Sequence, residues 1–141
     1  MKLQTATRLG IYAVLELAGN PGRQLSANEI AKRFKISSNH LGKVLRTLGR
    51  AGLVAAERGA GGGYRFCGND RRVTLLDVIL LFEDVSPSIR GSREPGFFTP
   101  AGRALHRVVD EIHEITRATL GSITIATMLK LGRWKQARQR P

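Results

Sequence analysis

The chain has 141 residues, 42% of them hydrophobic, enough for one modest core with an appendage. No apolar run approaches the ~18 residues of a membrane helix, and the N-terminus lacks the charged, apolar and small-residue series of a secretory signal, so a soluble, cytoplasmic protein with no membrane partner is expected. The formal charge is +12; the one cysteine, Cys67, excludes an internal disulfide and cannot alone hold a structural zinc, and His40, His106 and His113 are too scattered for a metal motif by spacing.

The location of the charge matters more than its size. Residues 1–66 hold 11 Lys/Arg against 3 Asp/Glu, whereas residues 67–132 hold 8 of each, and the tail from Arg133 adds 4 more cations. A basic front and a neutral back imply a polyanion-binding module joined to an assembly module.

In chain order, Leu9, Tyr12, Ala13, Leu15 and Leu17 predict a first helix over Thr5–Gly19, ended by Asn20-Pro21-Gly22. Ser26-Ala27-Asn28-Glu29 reads as a capping box opening a second helix, with Ile30, Ala31 and Phe34 on its buried face. Ser37 is the N-cap of a third helix from Ser38 to about Ala51. Leu41, Val44, Leu45 and Leu48 share one face of it; Asn39, His40, Lys43, Arg46, Thr47 and Arg50 lie elsewhere, and Gly52 sits just past its end. Two helices joined by a tight turn, the second cationic, form a helix-turn-helix pattern.

Leu53–Glu57 and Tyr64–Phe66 flank Arg58-Gly59-Ala60-Gly61-Gly62-Gly63 and predict an antiparallel hairpin. Glycines that dense suit a backbone that must approach something closely or bend freely. No Gly-Lys-Ser/Thr follows and no helix opens after the loop, so a nucleotide-phosphate loop is not expected. Val73–Asp77, with Thr74 as cap and Asp77 in reply, starts a fourth helix expected to reach Glu83 or Asp84. Residues 86–98 should form a loop. Thr99-Pro100 then announces a long helix with an apolar stripe of Leu105, Val108, Val109, Ile112, Ile115 and Leu120. That stripe is too long for a small domain to cover, so a two-fold homodimer is expected. Thr124 should cap a short last helix to Leu131, followed by a polar, basic tail that is disordered or lies on DNA.

The fold class that follows is mainly α with a small β-hairpin wing: a winged helix-turn-helix over residues 1–85, the loop 86–98, a dimerisation helix and short C-terminal helix over 99–131, and a basic tail over 132–141. Such a domain inserts its cationic helix into the major groove of double-stranded DNA. Ser38, Asn39, His40 and Lys43 occupy the base-reading end, Asn39 suiting an adenine edge and Lys43 a guanine edge. Arg46 and Arg50 lie further along, for phosphate or base. Backbone N–H groups near Ser37 favour a phosphate. Arg58 and Arg65 bracket the wing, with Arg58 suited to a narrow minor groove and Gly59, Gly61 and Gly62 allowing close approach. Tyr64 either packs on the sugar-phosphate or fills the core under the hairpin. Cys67 is either a redox-responsive thiol beside the wing or a small buried strand residue. The same basic face would also serve a DNA- or RNA-binding protein without sequence preference. No paired carboxylates, Cys–His pair or serine elbow points to an enzyme.

These residues resemble the Rrf-two family of bacterial regulators, the group of IscR and NsrR. The resemblance rests on Met1-Lys2-Leu3, Ile30-Ala31, Ile36-Ser37 with Leu41, Leu48, Ala51-Gly52-Leu53-Val54, the wing Arg58–Tyr64, Val73-Thr74-Leu75 with Asp77-Val78, and Ile123-Thr124-Ile125. It implies a winged-helix dimer on a short imperfect palindrome; a transcriptional regulator is expected, with repression taken as its mode although the sequence does not decide between repressor and activator. Many members hold an iron–sulfur cluster on three loop cysteines. One common family spacing, counted back from Ile123, puts those cysteines at Gly91, Phe97 and Arg103, and a histidine ligand at His106. Only the histidine is present, and such clusters need several thiolates. A clusterless member is expected, with no cofactor and an effector that is a small molecule or a redox signal.

Overall fold

The computed structural model describes residues 1–58, 62–85 and 94–139, residues 134–139 by backbone alone. Its elements are α1 (Thr5–Ala18), α2 (Ala27–Phe34), α3 (Ser38–Arg50), β1 (Val54–Glu57), β2 (Gly63–Phe66), α4 (Leu75–Ile79), α5 (Pro100–Ser122) and α6 (Ile125–Gln139). Helix starts follow local chemistry. Ser26, Ser37, Thr74 and Thr99 each accept a backbone N–H three residues on, at 3.1–3.2 Å. At Thr74 the reply is complete, its own N–H donating to Asp77 Oδ2 at 2.9 Å. At α2 only the serine half of the predicted box forms.

α1 is the central helix. Leu9, Ile11, Ala13, Val14 and Leu17 are buried, and with Ile30 and Ala31 of α2, the α3 leucines, Val54, Leu75, Val78, Ile79 and Ile125 they make one core. Tyr12, expected to point inward, is 40% exposed and instead stacks on Phe34, ring centroids 5.1 Å apart. Gly52 closes α3 at φ 78, and Leu53 N–H returns to Leu48 O at 3.1 Å, as at many helix ends.

The hairpin pairs Val54 with Phe66, Ala55 with Arg65, Ala56 with Tyr64 and Glu57 with Gly63. A third segment joins it unannounced by periodicity: Leu25 exchanges both backbone bonds with Tyr64, at 3.0 and 2.8 Å. Gly63 permits that approach, because a Cβ there would stand 2.7 Å from Leu25 O. Its smallness therefore serves the fold rather than a ligand.

Two expectations fail. α4 ends at Ile79 and does not reach Glu83. Beyond it Leu81 and Phe82 N–H groups bond back only three residues, to Val78 O and Ile79 O, tightening the turn. The turn lays Phe82 against Gly10 and lets Glu83 Oε2 accept from Gln4 N–H (2.9 Å) and from the buried Thr7 hydroxyl (2.6 Å), closing the start of α1. A tertiary bond overrides the helical continuation. Conversely, α6 does not stop at Leu131 but continues to Gln139. Arg, Lys, Gln and Ala dominate residues 133–139, all strong helix formers with no Gly or Pro among them.

Of the expected 86–98 loop, residues 86–93 lie outside the described residues; Glu94–Phe98 form turns leading into α5. α5 meets the core only at its end. Leu120 packs against it, and the α5–α6 junction pairs with the strand-like entry to α4, Leu75 N–H to Ile123 O and Ile125 N–H to Val73 O, both 2.9 Å. None of its 23 residues is buried. None of the described helices is long and apolar enough to cross a membrane.

Candidate nucleic-acid interface

α3 packs its leucine face on α1 and α2 and turns the rest outward. Ser37, at its N-cap, and Ser38, Asn39, His40, Lys43, Arg46 and Arg50 are all exposed. Ser37 Oγ is already occupied by His40 N–H at 3.1 Å. Asn39, Lys43, Arg46 and Arg50 are spaced four, three and four residues apart, which sets them in one stripe along the helix. Thr47 lies at its edge, its hydroxyl bonded to Lys43 O at 3.3 Å.

β1 follows α3 after a three-residue turn and carries the hairpin beside it. Arg58 is exposed at the hairpin's first loop position. Gly59 and Gly61 lie outside the described residues; Gly62 is half-buried at the entry to β2. Tyr64 is half-buried, packs on the core and holds Leu25 by its backbone. Arg65 is exposed, but its Nε bonds Glu57 Oε1 at 2.6 Å, and Gln24 Nε2 bonds the other Glu57 oxygen. The two arginines bracketing the wing are thus unequal, one uncommitted among the described contacts and one tied to a carboxylate. Cys67 lies just past β2, exposed, its Sγ 3.1 Å from Gly52 O. It is not a buried strand residue.

Sequence reasoning missed the Gln24–Glu57–Arg65 cluster, because register decides which wing charges meet. It also missed Lys35, the C-cap of α2, which takes a left-handed backbone at φ 55. The signal was a three-residue helix connection, Lys35-Ile36-Ser37, with no glycine in it.

Compared with known proteins, residues 3–131 match the model of the Rrf2 family, described as iron-dependent transcriptional regulators. The chain belongs to the Rrf2 family. It is 52% identical over 131 residues to the HTH-type transcriptional regulator BadM of Rhodopseudomonas palustris, covering 93% of this chain and 83% of that protein. Among solved structures it is similar to CymR, the global cysteine regulator of B. subtilis (TM-score 0.79, 27% identity, 93% of this chain and 98% of that one). It is also similar to IscR of T. potens (TM-score 0.69, 30% identity, 94% and 88%). The winged-helix fold and a role in transcription regulation go with this Rrf2 membership.

The residues do not fit the iron–sulfur cluster known in many Rrf2 relatives. Two of the three expected thiolate positions are described, and both are engaged in other contacts. The Phe97 ring stands edge-on to His106, centroids 4.5 Å apart, and Arg103 Nη1 donates to Phe98 O at 2.7 Å. His106 Nδ1 is itself bonded to Gly102 O at 2.6 Å. The third, Gly91, lies outside the described residues but is not a thiol. Among the described residues no group of three His, Cys, Asp or Glu side chains is disposed to hold a metal ion.

Proposed function

We propose that this chain is a cytoplasmic, homodimeric repressor that binds a palindromic operator in double-stranded DNA, without an iron–sulfur cluster. The observation that carries the reading is the exposed stripe Asn39–Lys43–Arg46–Arg50 on a helix whose other face is buried, beside a hairpin whose Arg58 is exposed. A rigid helix with amide and cationic ends is suited to major-groove edges, Asn39 to adenine and Lys43 to guanine. Two-fold pairing of such domains matches a palindrome, one half-site per protomer.

Support for the homodimer comes from α5. Leu105, Val108, Ile112 and Ile115 are 54–62% exposed and spaced three, four and three apart, the seam of a two-helix coiled coil. A dimer seated on an operator can block polymerase by occupancy, and repression is the mode proposed. The missing thiolates leave the effector to a small molecule or to oxidation of the exposed Cys67.

The test is binding of the pure protein to the DNA upstream of its own gene and to an unrelated duplex, at two salt concentrations. A preference of ~10³-fold or more for the upstream site is expected. Equal, steeply salt-dependent binding to both would favour a binder without sequence preference.

A further inference from the structure

α5 is anchored to the core at one end only. Leu120 packs there and Leu75 N–H bonds Ile123 O, whereas no residue of the helix is buried. Its head at Pro100 lies ~30 Å from Leu120 along the axis. The first four N–H groups of a helix have no partner within it, so an unsupported head frays. Leu105, the first residue of the exposed stripe, stands in the second turn and would be lost with that head.

The residues just before α5 supply the support. Gly96 turns the chain at φ 83, and its carbonyl accepts from Thr99 N–H at 3.0 Å and from the Thr99 hydroxyl at 2.6 Å. This turn lies directly on Gly102, where a Cβ would collide with Gly96 O and stand 2.6 Å from Phe97 O. Arg103 Nη1 donates to Phe98 O at 2.7 Å. The Phe97 ring then meets the His106 imidazole edge-on, centroids 4.5 Å apart. His106 is oriented by its own helix: Nδ1–H donates to Gly102 O at 2.6 Å, since a carbonyl can only accept. Its Nε2 is buried and meets no hydrogen-bond partner among the described residues. What His106 offers Phe97 is therefore an aromatic surface and not a hydrogen bond. Phe97, Gly102 and His106 are all half-buried, although none belongs to the core.

We infer that Phe97 is a positioning residue: its contact with His106 clasps residues 94–98 onto the first two turns of α5 and keeps the stripe helical up to Leu105. Phe97 and Arg103 stand at two of the positions where cluster-bearing relatives are expected to carry thiolates, and here they hold the same segment by ring contact and hydrogen bond, with no need of a metal. A seam formed in advance has less to order when two protomers pair. In that consequence the inference rests on the homodimer reading above; the clasp itself does not.

The test compares wild type with Phe97→Ala, His106→Ala and His106→Phe, by amide exchange and by dimer dissociation in sedimentation. Neither residue belongs to the core, so all three variants should fold. Phe97→Ala and His106→Ala should each speed exchange of the Gly102 and Arg103 N–H groups ~3–10-fold, the strength of one aromatic pair. Both should raise the dimer dissociation constant at least ~3-fold, because the head must be re-formed on pairing. His106→Phe keeps a ring and discards both nitrogens, and it should retain the wild-type values. Adding EDTA to wild type should change neither readout. Wild-type exchange in Phe97→Ala would overturn the clasp. So would losses in His106→Phe equal to those in His106→Ala, or faster exchange with EDTA, since the imidazole nitrogens or a metal would then be holding the head. A wild type that sediments as a monomer overturns the homodimer reading instead, and the exchange comparison alone then decides the clasp.

Discussion

α3 and α5 each carry four large aliphatic residues along one side, and they meet opposite fates. In α3, Leu41, Val44, Leu45 and Leu48 are at most 2% exposed; in α5, Leu105, Val108, Ile112 and Ile115 are 54–62% exposed. The difference lies in period and not in content. The α3 residues fall at steps of three, one and three, a broad face that fills a concavity lined by α1, α2 and β1. The α5 residues step by three, four and three, a narrow seam that suits one straight partner helix, and their own domain offers none. One pattern specifies a fold; the other, on the proposed dimer, specifies an assembly.

The sharpest way to break this comparison is to damage both stripes. Leu45→Ala should cost ~2–5 kcal/mol of unfolding free energy, because Leu45 is fully buried and the cavity left has few means of collapsing. Urea titration measures it, and a loss below about 1 kcal/mol would deny α3 its central place in the core. Ile112→Asp should leave the fold of each protomer intact by circular dichroism. On the proposed dimer it should give a monomer by sedimentation and lower operator affinity ~10²-fold or more, since the two half-sites lose their linkage. A variant that remains dimeric would show that the seam is not the dimer contact.

The features legible in the sequence were those set within a few residues. The caps at Ser26, Ser37, Thr74 and Thr99 were readable because each needs only an oxygen and an N–H three residues apart. The exposed α3 stripe was readable because it is the complement of a strong apolar period. What escaped depends on contacts distant in sequence. Glu83 abandons α4 to close the start of α1, some 79 residues away in the case of Gln4. Leu25 joins the hairpin through Tyr64, and Gly63 accommodates its backbone, a contact no local pattern announces. Arg58 and Arg65 looked equivalent until the strand register put Glu57 beside Arg65. The end of α6 escaped for a plainer reason: a polar tail was read as unable to pack, although helix formation there needs only propensity.

The unequal wing arginines give a smaller test. Arg58→Ala should weaken operator binding ~10-fold while the protein stays folded, whereas Arg65→Ala should weaken it by less than ~3-fold, its charge being partly answered by Glu57 at an exposed site. Titration at fixed salt distinguishes them. Equal losses would mean that Arg65 leaves Glu57 when DNA binds.

The smallest effect returns to the two helices. Ser37 and Thr99 cap α3 and α5 by the same bond at 3.1 Å, and the Thr99 hydroxyl also donates to Gly96 O at 2.6 Å, so removing it deletes at least as much. Ser37→Ala should lower global stability by ~1 kcal/mol, because α3 cannot fray without opening the core it fills. Thr99→Ala should leave the unfolding midpoint of the protomer almost unmoved, because the first turns of α5 bury nothing. Its loss should appear as faster amide exchange near Gly102 and Arg103, whose N–H groups bond to Thr99. Equal stability losses in the two variants would mean that α5 unfolds together with the winged domain, and its start would then be part of the cooperative fold despite its exposed stripe.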